Sequence, residues 1–160
     1  MHPTRIDLPE ELREQVVVIL NDRLADVLDL GLQAKQAHWN VKGPQFIALH
    51  ELFDELSDIL RDQSDEVAER ITALGGTAEG TVAAVAGRTR LPTYPPEITA
   101  GRDHLQCLAT ALATYGKAVR FDIEQATRLG DADTADLFTG ISREIDKQLW
   151  FLEAHLQSDR

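Results

Sequence analysis

Apolar residues recur at helical spacing through four long segments of the chain. In the first segment, for example, Leu20, Leu24 and Val27 follow one another at intervals of three or four residues. The helices that this pattern predicts are about 9–38, 45–74, 97–129 and 134–157. Glycine and proline interrupt the pattern between helices at Gly43-Pro44, Gly75-Gly76 and Gly130. No segment alternates apolar and polar residues as a strand would, so the pattern predicts an all-α protein.

The connection between the second and third helices is long enough to cross a bundle. Thr81–Ala86 can form one or two helical turns, and three prolines between 91 and 96 require an irregular segment. One long crossover is the ferritin-like connectivity. We therefore expect a ferritin-like four-helix bundle with a short extra helix in the crossover. Residues 1–8 are predicted to be a short tail, and residues 9–158 a single domain, with the last helix capped near Asp133 or Thr134.

The composition narrows the classes of function. The net charge of −11 and the pI of about 4.8 argue against a broad nucleic-acid surface and suit a protein that attracts cations, although acidity for solubility alone gives the same numbers. No apolar run is long enough for a membrane span and no signal peptide is visible, so a cytoplasmic protein is expected. Cys107 is expected to be a buried thiol, and His2, His104 and His155 are expected at the surface.

Five side chains that can bind a divalent metal lie within 32 residues. They are His38, His50, Asp54, Asp65 and Glu69. The last four belong to one predicted helix, and their gaps of 4, 11 and 4 residues are close to whole turns, so they share one face. Asp54 and Asp65 are about 16 Å apart along the axis at ~1.5 Å per residue, so one ion cannot contact both.

A two-fold axis would bring the two halves of this face together. Positions 50 and 69, and positions 54 and 65, are symmetric about a point between Ile59 and Leu60. If the helix packs antiparallel against its own copy there, His50 faces the partner's Glu69 and Asp54 faces the partner's Asp65. The spacing therefore predicts two identical sites, each built from both chains. The alternative is that the carboxylates are ordinary surface charge.

The residue types in this set favour iron. No Glu in the chain has His three positions later, so the common di-iron centre within one bundle is absent. A turn through Gly43-Pro44 can return His38 to the start of the second helix, beside His50 and Asp54. Two imidazoles and three carboxylates suit Fe(II), with Zn(II), Co(II) or Mn(II) as alternative occupants, and the lack of thiolate disfavours a closed structural zinc site.

Two stretches of the chain resemble one protein family. Residues 35–76, KQAHWNVKGPQFIALHELFDELSDILRDQSDEVAERITALGG, resemble the signature region of Dps proteins, the mini-ferritins of bacteria. Residues 131–156, DADTADLFTGISREIDKQLWFLEAHL, resemble the end of the same family. The motif of His-Trp-Asn followed by His-x-x-x-Asp and Asp-x-x-x-Glu is highly specific, and the likeness extends over nearly the whole chain.

The resemblance implies a shell of twelve subunits with ferroxidase centres at the two-fold interfaces. It implies that one subunit contributes His38, His50 and Asp54 as ligands and that its mate contributes Asp65 and Glu69. Such centres oxidise Fe(II), with hydrogen peroxide preferred over dioxygen, and ferric mineral is stored inside the shell, which protects against oxidative damage.

Two further features are implied by the same resemblance. Trp39 matches a tryptophan of the family motif and is a candidate electron donor, with core packing at the dimer interface as the alternative. The family admits iron through acidic pores near the start of the last helix. The residues at this place are Asp131, Asp133 and Asp136. The alternative for these acids is the ordinary preference of a helix N-terminus for negative charge.

The N-terminal tail has too few cations to favour DNA binding. Family members that bind DNA do so through basic tails, whereas Arg5 is the only formal cation of this N-terminal tail besides the amino group. We therefore expect weak or absent DNA binding. Three functions follow from the sequence: an iron-storing ferroxidase, a nucleoid DNA-binding protein with a secondary metal site, and a cage whose site holds zinc or stays empty.

Overall fold

The chain forms four long helices and one short one. The structure, a computed structural model, describes residues 1–157, so the predicted domain end at residue 158 lies outside the described residues. The helices are α1 Glu10–Asn40, α2 Phe46–Ala73, α3 Val82–Arg88, α4 Gly101–Leu129 and α5 Ala132–Leu156. Helix α1 packs mainly on α2 and α4 mainly on α5, and α1 also contacts α4 and α3. The predicted all-α bundle with a short crossover helix is confirmed.

The core is a continuous apolar cluster to which all four long helices contribute. Its largest fully buried side chains are aromatic, namely Phe53, Tyr115 and Phe138. Burying such side chains contributes about 1.5–3 kcal/mol each, which is far more than the intrinsic helical preference of any residue. No helix among the described residues is both long enough and apolar enough to cross a membrane.

The predicted end of α2 at Gly75-Gly76 is confirmed, and the N-terminal segment contacts the chain there. Gly75 adopts a left-handed backbone with φ of 87°, and any Cβ there would overlap the carbonyl oxygen of His2. The His2 backbone N–H donates to the Gly75 carbonyl at 2.7 Å. The Arg13 guanidinium donates to the Leu74 carbonyl at 2.7 Å. Residues 1–8 therefore lie against the end of α2 and are not a free tail.

Helix α4 begins four residues later than the hydrophobic pattern predicts. The Lys42 backbone N–H donates to the Thr99 carbonyl at 2.8 Å, and Lys42 forms an isolated bridge with Ala100. This pairing keeps residues 99 and 100 extended, so the helix starts only at Gly101. The contact lies between segments distant in sequence, which is why local spacing cannot predict it.

Asp131 is the N-cap of α5, and the prediction of a cap at Asp133 or Thr134 was wrong. One oxygen of Asp131 accepts from the Thr134 backbone N–H at 3.0 Å, and the other accepts from the Thr134 hydroxyl at 2.6 Å. The Arg70 guanidinium donates to the same carboxylate at 2.7 Å. Asp131 is only 1% exposed in the single chain, and its carboxylate serves as the cap of α5, so its predicted place in an acidic pore stays a prediction. Asp133 and Asp136 are exposed.

A buried ion cluster joins α1 to α4. Arg23 contacts Asp26 at 2.9 Å and Asp122 at 3.0 Å, and all three side chains are almost inaccessible. The Arg90 backbone N–H donates to Asp26 at 2.9 Å, which ties the crossover to the same cluster. Burial raises the pKa of Asp122 to about 6, because the single guanidinium of Arg23 is shared with a second carboxylate. Apolar spacing gave no sign of this cluster.

Replacing the α5 cap tests its contribution to stability. Asp131→Ala is expected to lower the free energy of unfolding by about 1–2 kcal/mol, because the Thr134 N–H loses its acceptor. Loss of the Arg70 partner adds to this effect. Chemical denaturation at fixed protein concentration measures the change. Asp133→Ala, at an exposed neighbouring position, is the control and should change stability by less than about 0.5 kcal/mol. Equal effects of the two substitutions would contradict the capping assignment.

The ion cluster predicts a pH dependence of stability. The folded pKa of Asp122, about 6, lies above its ordinary value of 3.8, so the folded state keeps this proton more tightly than the unfolded state does. The stability from this proton is fully present below the ordinary pKa and is lost as pH rises through the folded value. Relative to Asp122→Asn, the wild type should lose about 2.4 kcal/mol between pH 4 and 7, which is most of the full shift at ~1.4 kcal/mol per pKa unit.

Denaturation of both proteins across this pH range measures the difference. Asp146→Asn removes the same charge from an exposed ion pair with Arg120 and serves as the matched control. Exposed pairs contribute only about 0–1 kcal/mol, so this variant should track the wild type. A gap between wild type and Asp122→Asn that does not change with pH would refute the assignment.

Candidate metal centre

The two predicted histidine ligands meet at the junction of α1 and α2. His38 lies in the last turn of α1 and His50 in the first turns of α2, on either side of the loop through Gly43-Pro44. Their rings stack, with centroids 3.7 Å apart and planes inclined by 22°. The turn therefore brings His38, at the end of α1, beside the start of the second helix, as the sequence predicted.

A reciprocal pair of hydrogen bonds determines which ring nitrogen of each histidine is available. Nδ1 of His38 lies 2.7 Å from the His50 carbonyl oxygen, and Nδ1 of His50 lies 2.8 Å from the His38 carbonyl oxygen. A carbonyl oxygen can only accept, so both Nδ1 atoms carry the proton. In the neutral rings, each Nε2 then presents its lone pair. Histidines that bind metals commonly donate their other N–H to a carbonyl in this way.

Asp54 lies one turn after His50 and adjoins the histidine pair. Its carboxylate oxygen is 3.9 Å from His38 Nδ1, and the same oxygen forms an ion pair with the Lys35 ammonium group. The hydrogen bond from Lys35 lowers the pKa of Asp54, so this side chain is a carboxylate. A metal ion at this position would have to displace Lys35 from Asp54. Lys35 was not among the residues predicted from the sequence, although its place one turn before His38 puts it on the same side of α1.

Asp65 and Glu69 lie on the second half of α2 and are exposed. They stay apart from the histidine pair because α2 is continuous from Phe46 to Ala73. Within residues 1–157, no three His, Cys, Asp or Glu side chains form a group that could hold a metal ion. One chain thus presents two histidines and a carboxylate at one end of the face and two carboxylates at the other end.

An apolar groove opens at the middle of this face. It lies between α1, α2 and α3 and has a volume of about 640 Å³. Two of its lining residues are strongly exposed apolar side chains, Leu32 at 62% and Val82 at 83%. Leu60 and Ser57 of α2 also line the groove, so it spans the point about which the predicted ligands are symmetric. Exposed apolar surface of this kind marks interaction sites.

Trp39 follows His38 and is 66% exposed in the single chain. Phe46 and Ile47, at the start of α2, are exposed apolar residues as well. Exposed apolar side chains therefore adjoin the histidine pair as well as the groove, and the Phe46 ring lies 5.1 Å from the His50 ring between centroids. Whether Trp39 packs in an interface or donates electrons stays a prediction.

The remaining histidines and the cysteine were predicted less well. His2 is exposed, as expected, and His155 is half-buried with Nδ1 2.8 Å from the Phe151 carbonyl oxygen. His104 was expected at the surface, but it is only 1% exposed, because α4 turns this side chain toward the core. Cys107 is half-buried, and burial raises the pKa of its thiol, which keeps it protonated and unreactive.

Comparison with known proteins finds relatives whose alignments cover nearly the whole chain. A family model of the ferritin-like domain matches residues 17–160. The DNA protection during starvation protein of Agrobacterium fabrum is 48% identical over 156 residues, which cover 98% of this chain and 96% of that protein. The protein of the same name from Mycolicibacterium smegmatis is 34% identical over 151 residues, which cover 94% of this chain and 82% of that protein.

Solved structures are similar over the same length. The tetragonal form of Mycobacterium smegmatis Dps has a TM-score of 0.94 and 33% identity, and the match covers 99% of this chain and 96% of that one. The Dps protein of Vibrio cholerae, described as a member of a broad superfamily of ferritin-like diiron-carboxylate proteins, has a TM-score of 0.92 and 27% identity, with 98% of each chain covered. On fold, length and sequence together, this chain belongs to the Dps family of ferritin-like proteins.

Proposed function

We propose that this protein is a ferroxidase that oxidises Fe(II) at sites shared between two subunits and stores the ferric product in a shell of twelve subunits. Family membership supports iron storage and protection as the general function. The observation that carries the finer proposal is the stacked pair of His38 and His50, whose Nδ1–H groups are held by carbonyls and whose Nε2 atoms are left to bind a metal.

We infer that His38, His50 and Asp54 of one subunit bind iron together with the partner's Asp65 and the partner's Glu69. Three features of the single chain support this assignment. The two groups of ligands lie at opposite ends of one continuous helix, no complete group forms within the described residues, and the apolar groove spans the predicted two-fold point. A second copy seated on the groove would bury Leu32 and Val82 and supply the missing carboxylates.

The ligand set favours oxidation of the bound iron. Carboxylates are hard ligands that stabilise Fe(III) more than Fe(II), so loss of an electron becomes easier at this site. With two Fe(II) ions in place, one hydrogen peroxide molecule accepts one electron from each ion, and two protons complete the formation of two water molecules. No free radical is released. Zn(II) accepts the same nitrogen and oxygen ligands and is therefore expected to compete.

Iron would reach the interior through pores that the start of α5 lines. Asp133 and Asp136 are exposed there, whereas Asp131 is buried as the helix cap. Several copies of these two carboxylates around one axis would create a negative potential that attracts Fe(II). The net charge of −11 per chain adds to this attraction. This role of Asp133 and Asp136 stays a prediction.

The alternative function, compaction of DNA, is less well supported by the N-terminal segment. The segment offers few cations, and its first residues lie against α2 through the hydrogen bond from His2 to Gly75. A tail held on the protein surface cannot extend along a DNA backbone. Phosphate contacts by lysine and arginine provide most of the affinity in non-specific DNA binding, so little binding is expected.

Subunit complementation tests whether the site is shared. His38→Ala and Asp65→Ala shells should each lose rapid Fe(II) oxidation by hydrogen peroxide, measured as ferric absorbance and residual peroxide after anaerobic loading. Shells assembled from an equal mixture should recover activity, because each mixed dimer has one site with both substitutions and one site with neither. Random pairing in a two-fold dimer gives about a quarter of the wild-type sites.

Two results would contradict the proposal. Mixed shells that stay inactive would place both residues in a site within one chain, or in no site at all. Wild-type protein that oxidises iron no faster than free solution would exclude the ferroxidase function. Glu66→Ala, an exposed carboxylate on α2 outside the proposed ligand set, is the matched control and should keep wild-type activity.

DNA binding is tested by gel shift of plasmid with the assembled protein. We expect no retention at ~150 mM salt, where the Debye length is about 8 Å and the remaining surface cations are screened. A variant with four lysines inserted after Met1 is the positive control, since it adds phosphate contacts without altering the bundle. Retention of plasmid by the wild type at this salt concentration would favour the DNA-binding alternative.

A further inference from the structure

A half-buried tyrosine and a buried histidine form a pair near the proposed iron site and have no role in it. Tyr94 belongs to the crossover segment after α3, and His104 to the first turn of α4. The Tyr94 hydroxyl oxygen lies 2.5 Å from Nδ1 of His104. The two rings are nearly parallel, with planes inclined by 20°. His104 is 1% exposed, so water does not compete for this hydrogen bond from the ring side.

The protonation states of the pair follow from its surroundings. Burial raises the pKa of Tyr94 and lowers the pKa of His104, so a neutral phenol faces a neutral imidazole. Nδ1 therefore accepts the phenol proton, and Nε2 carries the ring proton. Nε2 is buried without a hydrogen-bond partner among the described residues, although the backbone of Asn40 lies close enough to affect the pKa of His104. Before oxidation, release of the phenol proton to solvent and its transfer to His104 are therefore both unfavourable.

The pair lies directly behind the proposed ligands. The His104 ring is 6.2 Å from the Phe53 ring, between centroids, and Phe53 immediately precedes Asp54 on α2. Asn40, which faces His104, is two residues after His38 at the end of α1. An unbroken set of packed groups therefore connects the phenol of Tyr94 to the helix positions that carry the half-site.

We propose that Tyr94 supplies the second electron when hydrogen peroxide meets a site that holds only one Fe(II), and that His104 Nδ1 receives the phenol proton. This inference rests on the proposed ferroxidase function. One electron comes from Fe(II) and one from Tyr94, and the O–O bond of the peroxide breaks. The products are Fe(III), a neutral tyrosyl radical, a protonated His104 and two hydroxide ions. No hydroxyl radical leaves the site.

The surroundings of His104 suit this transfer. Oxidation makes a phenol strongly acidic, so the proton moves along the 2.5 Å hydrogen bond as the electron leaves. Burial lowers the pKa of His104, and the nearby Asp103 carboxylate opposes part of this effect, which helps to stabilise the imidazolium that forms. The radical is then neutral, and the half-buried position of Tyr94 reduces its contact with other molecules.

The chain contains a matched control for this role. Its only other tyrosine is Tyr115, which is fully buried. The Tyr115 hydroxyl has no hydrogen-bond partner among the described residues. A phenol without a proton acceptor cannot pass its proton on as it loses an electron. Tyr94 should therefore form the radical and Tyr115 should not, although both have the same intrinsic chemistry.

Freeze-quench electron paramagnetic resonance tests the proposal. The assembled protein is loaded anaerobically with less Fe(II) than one ion per site and mixed with hydrogen peroxide. We expect a tyrosyl radical signal in the wild type and in Tyr115→Phe, and its loss in Tyr94→Phe. His104→Gln keeps a hydrogen-bond acceptor but no base and should weaken the signal. In parallel, a spin trap should detect more hydroxyl radical from Tyr94→Phe than from the wild type.

The outcomes separate this inference from the proposed function. Circular dichroism and shell size first establish that each variant folds and assembles. If fully loaded wild-type protein oxidises Fe(II) rapidly but yields no radical, or yields one that survives in Tyr94→Phe, the role of Tyr94 is refuted and the ferroxidase stands. A signal that disappears in a Trp39→Phe variant instead would assign the electron to Trp39. Wild-type protein that does not accelerate iron oxidation would overturn the proposed function and this inference with it.

Discussion

The reciprocal hydrogen bonds between His38 and His50 are the interaction on which the proposed site depends. Each ring donates to the other's backbone carbonyl, so the end of α1, the start of α2 and both ring orientations are determined together. Loss of either ring would leave the other ring bonded to its backbone carbonyl but without its stacking partner, and would leave one carbonyl without its ring donor. The same bonds assign the proton to Nδ1 in both rings, which leaves two nitrogen ligands side by side. Local helix geometry and metal chemistry are therefore linked through one pair of contacts.

The bundle buries the apolar face of α2 and leaves an apolar groove open between α1, α2 and α3. Phe53, Leu56 and Leu60 point into the core, whereas the groove beside Leu32 and Val82 faces outward. Exposed apolar surface of this kind marks an interaction site, and the chain itself does not cover it. The exposed carboxylates near the groove would also repel one another unless a cation joined them. Assembly and metal binding would thus each reduce an unfavourable feature of the isolated subunit.

The crossover between α2 and α4 does more than connect the two halves of the bundle. Through Arg90 it contacts the buried cluster of Arg23, Asp26 and Asp122, and through Tyr94 it reaches His104. Both contacts bury polar groups that would be costly without partners. The crossover is therefore anchored at two points in the interior by polar contacts and not only by apolar packing.

The sequence by itself determined the helices, their order and the residues on the ligand face. Apolar spacing, Gly75 and Gly130 are local signals, and the gaps between His50, Asp54, Asp65 and Glu69 are properties of one helix. Only the tertiary structure decided what depends on distant segments. Asp131 and not Asp133 caps α5 because Arg70 of α2 reaches it. Helix α4 starts at Gly101 because Lys42 pairs with Thr99 and Ala100. His104 is buried because Tyr94, ten residues earlier, folds back to meet it. Periodicity reports which side of a helix is apolar, whereas a buried polar side chain is located by its partner, and partners meet only when the chain has folded.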